Sequence, residues 1–580
     1  MKQTKRLITA IALAISTIGL STTQAQNVDK AAPAEWNALI KGARFMDRYK
    51  AMPKGTLSND TWGCYKVQAR YIDNGIENPA ISFWGGNILK DQKGKYHFIL
   101  CGWPENSPKG HFSYVDSKIY NAVSDQLIGP YQIVDTIGVG HNPEVHSIKG
   151  GGYFITAISD LFVKNVVYSK TDEMHRPTRF ANLYIADDLN GKWKAIPFKY
   201  DLRDRQAYPG KNNWNHNLTE TQREDGSYLM INRGGQAWVS KDGVSTYNLI
   251  SDEIVYPAVD GRYEDPLVWK DNVQYNLIVN DWFGRVAHYM RSADGVHWVE
   301  EEGEAYVPGV SFHKDGYVED WYKYERIHVY QDQFGRPIQA NFAVIDTLKK
   351  KDFPNDHHNS KNISIPMNPG MLLTLMNQDR ITRNTKEIKV RIQAEPNFDP
   401  STEIDTQTLH FGAASEVNYS RGAEVKSVAK DGKDLIVTFD AKNNCITDDI
   451  FAPKMIGKKK NGEMVFGYCR KPWMNYNTAL LSARCPKAKL KGNKLTCETI
   501  IENFGQTSSK PTTLSISVIV DHQEIEIGCN TIAPIKPYDK KTITTTSHLN
   551  LQKGNNYPAI IRILRRSGKP ELLHTTLTLQ

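Results

Sequence analysis

The chain has 580 residues, with 72 lysines and arginines against 64 aspartates and glutamates and 40% apolar residues. That length is too great for one core and predicts roughly three or four structural units. The formal charge of +8 is mild, and basic runs such as Lys458-Lys459-Lys460 look like turn tips, so no concentrated stripe marks a nucleic-acid-binding protein.

Lys2, Lys5 and Arg6 form a basic start, Leu7 to Leu20 is apolar, and Thr23-Gln24-Ala25 ends in a small-x-small cleavage pattern. Residues 1–25 therefore predict a secretory signal peptide, removed on export to the periplasm or the extracellular space. No later stretch approaches the roughly 20 apolar residues of a membrane span. Seven cysteines in an exported chain permit disulfides and leave one over. The expectation is a few staples and one buried thiol, with connectivity open. No cysteine or histidine spacing suggests zinc.

Helical periodicity is scarce, while short β-branched runs bounded by Gly, Asn and Asp recur throughout, which predicts an all-β chain. One element returns five times: a polar entrance, an apolar strand, a turn and a second strand. It reads "FWGGNILKDQKGKYHFILCGW" at 83–103, "HNPEVHSIKGGGYFITAI" at 141–158, and "NHNLTETQREDGSYLMINRGG" at 215–235. It recurs as "YEDPLVWKDNVQYNLIVNDW" at 263–282 and "YERIHVYQDQFGRPIQANFAV" at 324–344. A second hairpin, as in "WVSKDGVSTY" and "MRSADGVHW", follows most copies. Two hairpins per repeat predict a five-bladed β-propeller over 26–383. The strand spacing beyond it predicts two β-sandwich, immunoglobulin-like domains at 384–472 and 473–580.

In a propeller the innermost strands line a channel, so their entrances converge on one funnel. The candidate ligand-binding residues there are Trp84, Asn87, His141, Asn142, Glu144, His216, Asn217, Glu264, Arg326 and His328. Carboxylates and amides suit sugar hydroxyls, and tryptophan suits sugar ring faces. Glycoside cleavage needs an acid and a second carboxylate across the scissile bond. Asp265 and Glu325, at neighbouring entrances, are the leading pair, while Arg326 could pair with Glu325 or hold an anionic sugar group. His141 and His313 titrate near neutrality and could supply the acid instead. Each residue alone could equally be a structural contact; the convergent set is what points to a site. The residues call for no cofactor, and a Ca²⁺ ion in the channel is compatible with them.

The "EDP", "HNP" and "YER" entrances and the "SADGVHW" hairpin resemble the five-bladed glycoside hydrolases of families 43, 32, 68 and 117, over about residues 60–380. Family 117, which releases terminal anhydrogalactose from agar-type oligosaccharides, is the nearest in pattern. The resemblance implies acidic roles for Asp265 and Glu325 and an acid role for His313. These families usually carry an aspartate on the first strand of blade one; here Asn87 stands at the expected pocket end, leaving Asp116, Glu144 or Asp73 as alternative bases. The reading is an exo-acting hydrolase of oligo- or polysaccharides. A polysaccharide lyase on the same scaffold and a non-catalytic carbohydrate-binding propeller remain as alternatives.

Overall fold

The computed structural model describes residue 30 and residues 32–59, 69–161, 180–205, 216–356, 360–564 and 571–580. The expected leader at 1–25 lies outside the described residues. Among the described residues, no helix is long and apolar enough to cross a membrane.

The chain is all-β, with a five-bladed propeller followed by two sandwiches. Blade one pairs Ile81–Lys90, Tyr96–Pro104, Lys118–Ser124 and Gln132–Val139 in chain order, and blade two pairs His141–Ser147, Tyr153–Ser159, Phe180–Ala186 and Lys194–Pro197. Blade three runs Thr219–Gln222, Tyr228–Ile231, Ala237–Ser240 and Tyr247–Leu249, with Tyr200–Asp201 added in parallel at its edge. Blade four comprises Tyr263–Lys270, Tyr275–Asp281, Val286–Ser292 and Trp298–Tyr306. Blade five holds Lys323–Gln331, Pro337–Ile345 and Ser360–Pro366. Its outer strand is bridged to Ile76, so the segment before blade one closes the ring. Asn74 seals the join: its amide donates to the Ser364 carbonyl at 2.7 Å and accepts from the Ser364 N–H at 2.6 Å.

Local chemistry explains the repetition. In blades three and four the turn before the last strand is Asp-Gly, with φ of 86° at Gly243 and 82° at Gly295. Such values suit a residue without a Cβ. Asp242 and Asp294 each accept two backbone N–H bonds, and Ser240 and Ser292 cap the same turns. Two copies of one turn chemistry therefore fold alike.

The first sandwich takes in Leu373–Leu375, which pairs with Glu387–Ile392, and orders seven strands around Val390, Leu409, Phe411, Val437 and Phe439. The second packs two four-stranded sheets over Leu495, Leu514, Ile516, Ile561 and Leu577. Both are fastened to the propeller through buried polar groups. Lys454, from the first sandwich, reaches Glu301 of blade four at 3.2 Å, and Arg203 donates to the Ser482 carbonyl at 2.8 Å.

The expected disulfides are not found among the described residues: Cys101, Cys445, Cys469, Cys485, Cys497 and Cys529 are all free thiols. Cys101, Cys469 and Cys497 are buried in three separate cores, so the fold itself keeps them apart. Cys64 lies outside the described residues.

Candidate functional site

Each inner strand carries the same irregularity at its entrance. One residue adopts a left-handed backbone: Gly85 (φ 61°), Asn142 (50°), Asn217 (46°), Asp265 (53°) and Arg326 (48°) in blades one to five. In blades one, two, four and five a register shift in the pairing with the second strand falls at that point. Bulges of this kind bend a strand and re-aim side chains. Here they bring the preceding residues, Trp84, His141, His216, Glu264 and Glu325, to the wall of one cavity of about 1390 Å³.

The left-handed residues bond to one another around the floor. Asn142 donates to Asn217 at 2.8 Å; Asn217 donates to both Glu264 and Asp265, each at 2.8 Å. Arg326 stands 3.5 Å from the same Asp265 Oδ1. Blade one contributes only Gly85, whose carbonyl accepts from Asn362 at 2.8 Å.

A second tier of walls follows from strand direction. The first strand runs away from the funnel and the second returns to it, so loops between second and third strands lie on the same face. They add Tyr114 from blade one, Arg233 from blade three, Trp282 and Arg285 from blade four, and the short turn Lys349–Lys351 from blade five. Sequence reading missed this tier, although the second hairpin of each repeat marks which loops return to the face.

The two leading carboxyl groups sit in opposed electrostatic settings. Burial raises the Asp265 pKa to about 7; Arg326 opposes this, while Glu264 and Glu325 reinforce it. Burial would also raise Glu325, but the ammonium groups of Lys349 and Lys323 outweigh it and hold that carboxyl below its usual range. Lys349 Nζ lies 2.5 Å and Lys323 Nζ 3.2 Å from Glu325. Asp265 is thus the group that keeps a proton near neutrality, and Glu325 the one that stays ionised.

The remaining candidates fall elsewhere. Asn87 does not line the cavity; its amide ties blades one and two by bonding both the C=O and the N–H of Val145, at 2.9 and 2.7 Å. The bulge puts Gly85, two residues earlier, at the place expected for Asn87. Asp116 is exposed at the end of the short helix Gly110–Asp116 and is not part of the wall. His313 is buried between Glu319, 3.2 Å from Nε2, and the Pro53 carbonyl, with the Tyr71 ring tilted against it at 4.0 Å between centroids, and is not part of the cavity lining. His141 lines the cavity, but burial, reinforced by Arg326, pushes its pKa far down, so it is a neutral imidazole near pH 7.

Glu144 and His328 lie deeper, filling the channel. Glu144 accepts from Thr219 and from the Glu220 N–H at 3.2 Å each, and stands 3.4 Å from His328. His146 is 3.2 Å from Glu144 and 3.6 Å from Glu220. Burial opposes its charge, but the two carboxylates raise its pKa to about 9, so the trio is internally paired. The ligand atoms of Glu144, His146 and Glu220 lie within 4.8 Å of one another, as do those of Glu105, Asp352 and Asp356. Among the described residues, these are the groups that could take a cation.

No protein family and no curated protein matches the chain. Among solved structures it is similar to an α-L-arabinofuranosidase from Lactobacillus brevis, at 13% identity over 50% of this chain and 92% of that one, TM-score 0.34. It is similar to an endo-1,5-α-L-arabinanase from Thermotoga petrophila, at 10% identity over 87% and 100%, TM-score 0.30. It is similar to a mutant Trypanosoma rangeli sialidase, at 9% identity over 93% and 92%, TM-score 0.29.

Proposed function

We propose that this chain is an exported glycosidase that cleaves sugar–oxygen bonds in the propeller cavity. One observation carries the reading: Asp265 and Glu325, from neighbouring blades, line the same cavity with their acidities displaced in opposite directions. Paired carboxyl groups set apart in this way divide into a proton donor and an ionised partner. Asp265 gives its proton to the leaving oxygen, and Glu325 faces the positive charge that develops on the sugar ring. Asn217 and Arg326 both meet Oδ1 of Asp265, which leaves Oδ2 to carry the proton. Trp84, Trp282 and Phe283 supply ring faces on which a sugar can stack.

The channel beneath is filled by the Glu144, His146 and His328 contacts. A sugar chain that cannot thread through presents its end, which favours exo-action.

Incubation with plant and algal oligosaccharides tests the proposal. New reducing ends, lost in Asp265→Asn and Glu325→Gln proteins that still fold cooperatively, are the expected result. Unsaturated, ultraviolet-absorbing products would mean elimination, and binding without product would mean a carbohydrate-binding propeller; either result overturns the hydrolytic reading.

A further inference from the structure

Among the described side chains, the only exposed aromatic rings stand on the cavity wall. Phe112 is 48% and Phe353 61% exposed, and both line the cavity. Every other described phenylalanine, tyrosine and tryptophan side chain is buried or half-buried. A single exposed ring is ordinary on a protein surface. Two, supplied by blades one and five and gathered at one opening, form a pattern.

The contacts beneath them fix their depth. Lys349 pairs with Glu325 and lies 4.8 Å from the centroid of the Trp84 ring, which is 2% exposed. His111 packs edge-on against the same indole at 4.7 Å, and the Phe112 ring follows 6.3 Å beyond His111. From Glu325 outward, the wall therefore passes from a buried ring to an exposed one.

The two turns that carry the outer rings are locked together. A Cβ on Gly110 would collide with the Asp352 carbonyl, so the turns touch backbone to backbone. The Phe353 N–H donates to Asp356 at 2.7 Å, and the Asn355 N–H donates to the Glu105 carbonyl at 3.2 Å. Rings held in this way need little ordering before a ligand arrives. The cavity, at about 1390 Å³, also exceeds the roughly 300–1,000 Å³ of a site for one small ligand.

Resting on the reading of the cavity as a sugar site, we infer that Phe112 and Phe353 form an outer platform at its mouth. It receives the next sugars of a chain, beyond the one held between Asp265 and Glu325. A sugar lays its C–H face on a ring and keeps its hydroxyls in water. A protein or lipid surface pressed onto the same rings would bury Lys351 and Asp356 beside them, at a cost in lost hydration.

Equilibrium titration of the full-length Asp265→Asn protein with xylo-, arabino- and galacto-oligosaccharides of one to four sugars measures binding with turnover blocked. In the series that binds best, three sugars should bind roughly tenfold more tightly than one. Adding Phe112→Ala and Phe353→Ala should bring that ratio close to one, and Phe112→Tyr with Phe353→Tyr should keep it. Both side chains are exposed, so neither pair of substitutions threatens the fold. No gain with length, a gain that survives loss of both rings, or no binding in any series would overturn the inference. Binding to a protein or to lipid vesicles that depends on the rings, with the gain in length intact, would give them to that partner instead. Length-dependent binding with no product from the parent chain would uphold the platform while sinking hydrolysis. Release of end sugars at a rate indifferent to both rings and to chain length would do the reverse.

Discussion

Arg326 of blade five lies against Gly85 of blade one, and a Cβ built on that glycine would stand 3.4 Å from the Arg326 Cβ and 3.5 Å from its Nε. The two occupy equivalent bulge positions in adjacent blades. Where blade four offers a carboxylate, blade one offers bare backbone, and a guanidinium from the next blade rests on it.

The glycine pair Gly85-Gly86 should therefore respond unequally to substitution. Gly85→Ala meets only ordinary contacts, so its cost is the left-handed backbone, about 1 to 2 kcal/mol. Gly86→Ala puts a Cβ 2.2 Å from the Ile99 carbonyl oxygen and must displace a strand. Chemical denaturation should show a modest loss for the first and a much larger one for the second.

On the proposed mechanism, Asp265 should set the alkaline limit of activity. As the acid it must be protonated, so kcat/KM should fall as pH rises through about 7. The same shift acts on stability. The folded pKa exceeds the unfolded value of about 3.9, so the folded state binds the extra proton. The associated stability is complete below about pH 4 and lost as pH rises through about 7. Asp265→Asn should abolish turnover, yet raise the melting temperature relative to the parent at pH 8 and change it little at pH 4.

Lys349 acts through Glu325. Its ammonium opposes the effect of burial, so Lys349→Met should raise the Glu325 pKa. If Glu325 works ionised, as proposed, the acidic limb of kcat/KM should move to higher pH, and the limb near pH 7 should also move up, because the same ammonium lowers the Asp265 pKa. A uniform loss of rate with no shift of the acidic limb would assign Lys349 a packing role.

Asn74 tests the ring closure. Asn74→Ala would strand the buried N–H and C=O of Ser364, each worth about 1 to 3 kcal/mol when left without a partner. A drop of about 3 kcal/mol in unfolding free energy is expected, with loss of activity under mild denaturant before the C-terminal sandwiches unfold.

Much of this arrangement could be read from the five entrances. A left-handed bulge residue selects Asn, Asp or Gly, and a strand start tolerates proline, so "HNP", "HNL", "EDP" and "WGG" are four solutions to one backbone problem. Arg326 is the exception, since arginine rarely takes that conformation, and it is held by its neighbours. Asn87 was misplaced because a bulge shifts the register and sends the next alternate side chain into the neighbouring blade. Lys349–Lys351 could not be placed, because a charged triplet in a loop shows nothing of its direction until strand polarity puts the loop on the funnel face. His313 and Asp116 carried suitable chemistry, but their positions depend on loop packing that periodicity does not encode.

Asn362 bonds to the backbone of Ile76 on one side and through its side chain to Gly85 on the other. The chain thus fastens its first blade with a residue made some 280 positions later. During synthesis Trp84 and Gly85 leave the ribosome long before Asn362 exists. A nascent chain that stops short of blade five therefore holds most of the cavity's residues but not its shape, and the site comes into being all at once, with the strand that shuts the ring.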